Sequence, residues 1–165
     1  MHIYYGYGQG KTTAAIGLAY RCASKGYKVL FTSFLKSKKC GEFVFNGPFV
    51  VDTFEFCGKF WNDMTSYEKN CTIVEVEERL CRIISVAENY DMIVLDELLD
   101  LVSLGCVSED CLVDFVKSIY GKTEIVITGH DKVQALFDMA DYVTEMRKEK
   151  HPYDKGITAR DGIEY

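Results

Sequence analysis

Apolar residues along this chain fall into short unbroken runs, separated by longer stretches in which they recur every three or four positions. Ile3–Tyr5, Lys28–Phe34 (KVLFTSF), Phe49–Phe56 (FVVDTFEF), Asp91–Glu97 (DMIVLDE), Glu124–Thr128 (EIVIT) and Asp141–Met146 (DYVTEM) read as strands. Helical spacing occupies Ala14–Ala23, Thr72–Asn89, Ser108 to Ile119 and Lys132–Met139, with Gly26 and Gly121 as stops after the first and third. In Thr72–Asn89 the apolar stripe is Val76, Leu80, Ile83, Ile84 and Ala87, and Glu75, Glu77, Glu78, Arg79 and Arg82 point largely away from it. Leu112, Phe115 and Val116 are the core face of the helix begun by Ser108. Strands without in–out alternation are buried on both faces. The pattern therefore predicts an α/β three-layer sandwich: a mostly parallel sheet with helices on either side. The tail, Lys148–Tyr165, is polar and turn-rich, and Ile157, Ile163 and Tyr165 are the residues available to tack it onto the sheet.

At 165 residues one domain, 1–165, accommodates all of these elements. The 25 acidic and 19 basic residues leave a net charge of −6, which argues against a broad nucleic-acid footprint and leaves anion binding to local lysines. The seven cysteines, Cys22, Cys40, Cys57, Cys71, Cys81, Cys106 and Cys111, include no C-x-x-C pair. Most sit in apolar patterns and read as small core residues, reduced in a cytoplasm. The first strand follows Met1 almost at once, leaving no room for a signal peptide, and no apolar run approaches the length of a membrane span.

Against this background Tyr4–Thr13 (YYGYGQGKTT) stands out. It joins the first strand to the first helix through Gly6, Gly8 and Gly10, then presents Lys11, Thr12 and Thr13. Glycines let successive backbone N–H groups turn inward, and at a helix N-terminus such amides form an anion site. Tyr7 and Gln9 complete this phosphate-binding loop, in which Lys11 reaches the terminal phosphates and Thr12 offers its hydroxyl to Mg²⁺. The usual motif has a glycine five places before Gly10, where Tyr5 stands; here the first glycine is Gly6. The second motif is Val94-Leu95-Asp96-Glu97, a buried strand ending in two carboxylates beside that loop. Asp96 and Glu97 are assigned to the metal site together, either being the direct ligand; one is alternatively a helix N-cap, because apolar residues resume at Leu98. Lys36, Lys38 and Lys39 leave the second strand, and one of them, Lys36 first, meets a substrate anion unless the cluster is a solvated turn. Phe60 and Trp61 lie in a loop rich in Gly, Asn and Asp. Either one of them lines a ligand surface or Trp61 caps the core.

These pieces together resemble the phosphate-loop family of ATP:cob(I)alamin adenosyltransferases, nearly end to end. The marks are GYGQGKTTAAIGLAYR at Gly6–Arg21, SFLK at Ser33–Lys36, GKFWND at Gly58–Asp63, VLDEL at Val94–Leu98, ITGH at Ile127–His130, and ADYVTEM with KHPYDKGITARDGIEY from Ala140 to Tyr165. The resemblance implies a nucleoside triphosphate hydrolase-like (RecA-like) fold and transfer of the 5′-deoxyadenosyl group of ATP to the cobalt(I) of a corrinoid, cobalamin or a precursor, releasing triphosphate. It implies Mg²⁺ or Mn²⁺, an electron donor such as a flavoprotein reductase, and a homodimer in the cytoplasm. It assigns Lys11 and Glu97 to catalysis and Gly6–Thr13, Lys36, Phe60, Trp61 and His130 to the substrates, with Phe60 and Trp61 pressed under the macrocycle to displace its lower axial ligand. Departures from the family pattern are Gln9 for lysine, Ser33 for glutamine, Lys59 for phenylalanine, His130 for arginine, and no N-terminal extension over the corrinoid. A phosphate-loop nucleoside kinase or ATPase is the rival reading, and a non-catalytic nucleotide switch a further one; neither accounts for GKFWND or the terminal motif.

Overall fold

The computed structural model of the chain describes residues 1–36, 47–52, 61–160 and 162–163. Six strands form one sheet: β1 (His2–Tyr5), β2 (Val29–Ser33), β3 (Val50–Asp52), β4 (Met92–Asp96), β5 (Glu124–Gly129) and β6 (Tyr142–Glu145). Their order is β3-β2-β4-β5-β1-β6, and every neighbouring pair is parallel. All five residues of β2 and of β4 are buried, as unbroken apolar runs require. Ile3 pairs with Ile127, which pairs with Leu95, so the carboxyl ends of β1, β5 and β4 finish side by side. That register brings the glycine loop, the ITGH turn and the acidic strand end to one edge.

The two faces of the sheet are covered by different chemistry. On one lies α1 (Lys11–Ala23), whose Ala15, Ala19 and Ala23 pack on Val29, Phe31, Met92, Val94 and Val126. Alanines on that face allow helix and sheet backbones to approach closely. On the other face α2 (Ser66–Val86), α3 (Asp100–Ser103), α4 (Glu109–Ile119) and α5 (Gln134–Met139) enclose a larger core built on Ile3, Leu30, Ile93, Leu95, Ile125 and Ile127. The α/β sandwich is therefore as the periodicity predicts. Ser108 caps α4 by accepting the Cys111 N–H, also as expected.

Several boundaries differ for identifiable reasons. The long helix begins at Ser66 instead of Thr72, because Thr65 and Glu68 form a capping box that starts the helix before its apolar stripe does. Its stripe includes Val76, Leu80 and Ile83, but Ile84 is 38% exposed and Arg79 is buried. Of the strand at Phe49–Phe56 the structure shows Val50–Asp52; residues 53–56 lie outside those described. Ile157 and Ile163 do not tack the tail onto the sheet, being 49% and 63% exposed, and Tyr165 is outside the described residues. Among the described cysteines only Cys106 is buried, while Cys81 and Cys111 are exposed. Their apolar sequence neighbours face the core, and a helix turns the adjacent positions outward.

Arg79 is inside because it closes the ends of two strands. Its guanidinium donates to the Ser33 carbonyl and the Asp52 carbonyl, each at 3.0 Å, and pairs with the Asp52 carboxylate, which also holds Arg82 at 2.7 Å. The Phe34 ring lies 5.7 Å beneath it. Arg79→Met keeps the aliphatic stem but strips both carbonyls of their donor, at an expected cost of about 3 kcal/mol in urea denaturation. The exposed Arg82→Met is expected to lose less than about 1 kcal/mol; equal losses would refute the placement of Arg79.

Candidate active site at the ends of β1, β4 and β5

The glycine loop turns at two left-handed positions, Gly6 (φ 103°) and Gly10 (φ 108°). Tyr5, where the common motif has glycine, is the last residue of β1 and packs edge-on against Phe137. Its place in the strand explains why the first glycine falls one residue later. The Gly6 N–H is shared between the Gly129 and His130 carbonyls, and the Gly8 N–H donates to Met146 at 2.7 Å. A Cβ at Gly6 or Gly8 would lie 2.7 Å from the Met146 carbonyl oxygen, so these glycines serve close packing against the exit of β6 as well as turning. At Gly10, which begins α1, no side chain caps the helix, and its first amides have no capping side chain to compete with an anion.

Lys11 arches back over the loop, donating to the Gly6 and Gly8 carbonyls at 2.6 and 3.1 Å. Burial pulls its ammonium below the ordinary lysine range, against the opposing pull of Asp100, Asp96 and Glu97. Its neighbour Thr12 belongs to a second cluster centred on Asp96, whose side chain is fully buried. Asp96 Oδ1 accepts from Thr12 Oγ1 at 2.9 Å and from Thr128 Oγ1 at 2.7 Å. Lys36 Nζ stands 2.9 Å from Oδ2 and 3.1 Å from Thr12 Oγ1, and among the described residues no other donor reaches Oδ2. A cation thus bridges the loop hydroxyl and the strand-end carboxylate.

Glu97 follows in the left-handed region at φ 63°, unusual for a side chain of this size. Its N–H donates to Thr128 Oγ1 at 2.8 Å, which stabilises the turn, and Ser33 Oγ lies 3.4 Å from its carboxylate. Burial, with Asp96 adding to it, pushes its carboxyl up from 4.5 to about 7, and Lys36 and His130 offset part of that rise. Neither carboxylate is a helix cap. The next helix, α3, starts at Asp100 with no side-chain cap.

The turn after β5 completes the edge. The buried Asp100 accepts from the His130 N–H at 2.8 Å and holds His130 Nδ1 at 3.0 Å. Tyr7, from the glycine loop, donates to Asp131 at 2.6 Å and lies ring to ring with His130 at 5.3 Å. Between the loop and the tail is a cleft of about 300 Å³ lined by Gly8, Gln9, Lys11, His130, His151 and Tyr153 among others, at the small end of ligand sites.

Gly6–Thr12, Lys36, Asp96, Glu97 and His130 are therefore gathered at one edge. Thr13, one step along α1, is exposed, and none of the contacts above involves it. Trp61 is half-buried against the core with the Lys69 ammonium 5.4 Å over its ring, and none of the contacts above involves it. Phe60, Lys38 and Lys39 lie outside the described residues. Asp100, Thr128, Tyr7's partner Asp131, and His151 were not singled out by sequence. The available signals were the acid four places after Asp96 and the threonine inside ITGH. Among the described residues no group of three or more His, Cys, Asp or Glu is placed to hold a metal.

A glycine loop between first strand and first helix, with a hydroxyl and a buried acid beside it on a parallel sheet, defines a phosphate-loop nucleotide-binding protein. The family model described as ATP:corrinoid adenosyltransferase BtuR/CobO/CobP matches residues 1–165, and the chain belongs to that family. Relatives named corrinoid adenosyltransferase include those of Escherichia coli strain K12 and Salmonella typhimurium strain LT2, each 30% identical over 99% of this chain and 84% of theirs. One from Pseudomonas aeruginosa is 25% identical over 99% of this chain and 82% of its own. The structure of the replication initiator DnaA bound to AMPPCP and single-stranded DNA matches with a TM-score of 0.50 at 12% identity, over 90% of this chain and 40% of that one, a likeness of fold alone.

Glu97 sets a pH dependence whose sign follows from its raised carboxyl. The folded protein binds this proton more tightly than the unfolded chain, so the stabilisation is complete at acid pH and is lost as pH rises through about 7. Glu97→Gln lacks this dependence. The urea midpoint of the variant relative to wild type is expected to rise steadily from about pH 5 to about pH 8; a flat difference would contradict the burial of the carboxyl.

Proposed function

We propose that this protein transfers the 5′-deoxyadenosyl group of ATP to the cobalt(I) of a corrinoid, cobalamin or a biosynthetic precursor, and releases inorganic triphosphate. The observation that carries the reading is the junction of Lys11, Thr12, Lys36 and Asp96 at the mouth of the glycine loop, in a chain of this family. Cobalt(I) is itself a strong nucleophile, so the reaction asks the protein for no activated serine or cysteine. It asks for in-line presentation of the ribose carbon and for cations where the triphosphate leaves. Lys11 and Lys36 supply fixed positive charge there, and the amides at the start of α1 add oriented dipoles. Gln9, exposed on the loop, contributes hydrogen bonding without charge.

Thr12 and Asp96 are the residues suited to a Mg²⁺ or Mn²⁺ ion. Their oxygens already converge on a cation, the Lys36 ammonium, and hard oxygen donors in small number match an ion completed by phosphates and water. Such an ion would supply further charge to the leaving group, with Glu97 adjacent to Asp96. We assign the electron to an external donor such as a flavoprotein reductase, and the active form to a homodimer in the cytoplasm. Among the described residues no helix is long and apolar enough to cross a membrane.

Phosphorus NMR of a single turnover with ATP and chemically reduced cobalamin is expected to show triphosphate together with the cobalt–carbon absorbance. ADP and orthophosphate without a cobalt–carbon bond would place the protein among kinases or ATPases. In the same assay Lys11→Ala is expected to lose about 10²–10³ in rate, by analogy with removal of one oxyanion donor.

Trp61 tests the corrinoid side of the proposal. Trp61→Ala is expected to bind ATP normally and to react with supplied cobalt(I), yet to stall when the reaction starts from cobalt(II). Electron paramagnetic resonance of the cobalt(II) complex with ATP reads this directly. A variant forming as much four-coordinate cobalt(II) as wild type would show that Trp61 only packs the core.

A further inference from the structure

The β2–β3 ladder ends at Thr32 and Asp52, while β2 stays paired with β4 one residue further, at Ser33 and Asp96. From there the chain runs through Phe34 and Leu35 to Lys36, the cation at the mouth of the glycine loop. Two anchors hold this exit. On the β4 side the Phe34 N–H donates to the Asp96 carbonyl at 3.1 Å. On the β3 side, where the ladder has stopped, the anchor is Arg79 from α2: Nη1 donates to the Ser33 carbonyl and Nη2 to the Asp52 carbonyl. One planar fork thus takes the place of the next rung between two strand ends, which asks for two donors in fixed geometry. The fork is itself held. Its side chain is 2% exposed, the Asp52 carboxylate lies 3.4 Å away and is shared with Arg82, and the buried Phe34 ring packs against it. Burying a guanidinium carries a desolvation cost that an apolar residue of similar volume avoids. What the arginine supplies in return is directional.

We infer that Arg79 is a positioning residue for the transfer reaction: by tying the ends of β2 and β3 together it fixes the backbone from which Lys36 presents its ammonium to the leaving triphosphate. The inference rests on the reading of Lys36 as a cation of the triphosphate site. Arg79 bonds to none of the residues assigned to the substrates or the metal and acts only through Lys36. A lysine side chain is long and flexible, so the place of its ammonium depends on where its backbone starts and on the partners it meets. Here those partners are close, Asp96 Oδ2 at 2.9 Å and Thr12 Oγ1 at 3.1 Å, and the start is set at Ser33 and Phe34. The Ser33 hydroxyl, on the anchored residue itself, also lies 3.4 Å from the Glu97 carboxylate. A shift of about 1 Å at such a group can cost about 10² in rate even when the residue that causes it stands outside the site.

The test first reads the position of Lys36, with no nucleotide or corrinoid present. In nitrogen-15 NMR the wild-type Lys36 ammonium, assigned by its loss in Lys36→Met, is expected to give a resolved signal because its bonds to Asp96 and Thr12 slow exchange with water. In Arg79→Met that signal is expected to broaden or move, and in Arg82→Met to stay. Arg79→Lys, which keeps the charge but not the fork, is expected to behave as Arg79→Met does and replaces it throughout should that variant fail to fold. Single-turnover rates with ATP and supplied cobalt(I) give the second reading. Lys36→Met is expected to lose about 10²-fold and Arg79→Met about 10-fold. The double variant is expected to be no slower than Lys36→Met alone, since the group through which Arg79 acts is already gone. A merely structural arginine would lower the rate by the same factor in both backgrounds, bringing the double variant to a loss of about 10³-fold. That outcome, or a Lys36 signal unmoved in the Arg79 variants, overturns the inference and leaves the reaction standing. Lys36→Met as fast as wild type overturns the reading of Lys36 on which the inference rests, and wild-type protein that forms no cobalt–carbon bond overturns the proposed reaction itself.

Discussion

The carboxylate of Asp96 is the constraint on which the rest of the edge depends. A charge without solvent contact is tolerated only when donors surround it. Here those donors come from three parts of the chain: Thr12 from α1, Thr128 from β5 and Lys36 from the exit of β2; Thr128 in turn accepts from the backbone of Glu97. The strand order makes this possible, because β4 sits between β2 and β5 and all three end at the same level. Satisfying one buried acid therefore sets the relative positions of the glycine loop, the second-strand lysine and the β5 turn.

Charge crowding follows from that arrangement. Asp96, Glu97 and Asp100 stand within one short stretch, and their mutual repulsion is relieved in different ways. Asp96 is met by Lys36 and two hydroxyls, Asp100 faces a histidine and its amide, and Glu97, least compensated, has its carboxyl pushed up to about 7. Lysines 11 and 36 are likewise engaged with protein oxygens and only partly exposed. An anionic ligand entering the cleft thus meets Lys11 already partly desolvated and aimed, which strengthens its effect on a leaving group.

The glycine loop is also packed from outside. Gly6 and Gly8 lie against the backbone of Met146, where no side chain would fit, and the tail that follows β6 forms a wall of the cleft. The tail is polar and largely exposed, yet His151 and Tyr153 reach the loop through a short turn over Pro152–Lys155. Its contribution is to shape the site, not to extend the core.

Unbroken apolar runs, the glycine loop and the acid pair were legible from sequence because each is a local pattern: strand burial, backbone freedom and charge placement are written within a few residues. The same holds for Ser108 as a cap and for Lys36 as a lysine brought to the site. Tertiary structure alone decided that Arg79 is buried, because its partners, Ser33 and Asp52, are distant in sequence and a helical arginine is otherwise solvated. It alone chose Asp96 over Glu97 for the Thr12 hydroxyl, since adjacent residues at a strand end differ only in which way the backbone turns, and Glu97 turns into the left-handed region. It also placed Asp100 on His130 across a gap of thirty residues. Periodicity records which face of an element is dry. Which polar groups then meet there is settled by strand order and register, and those are properties of the whole chain.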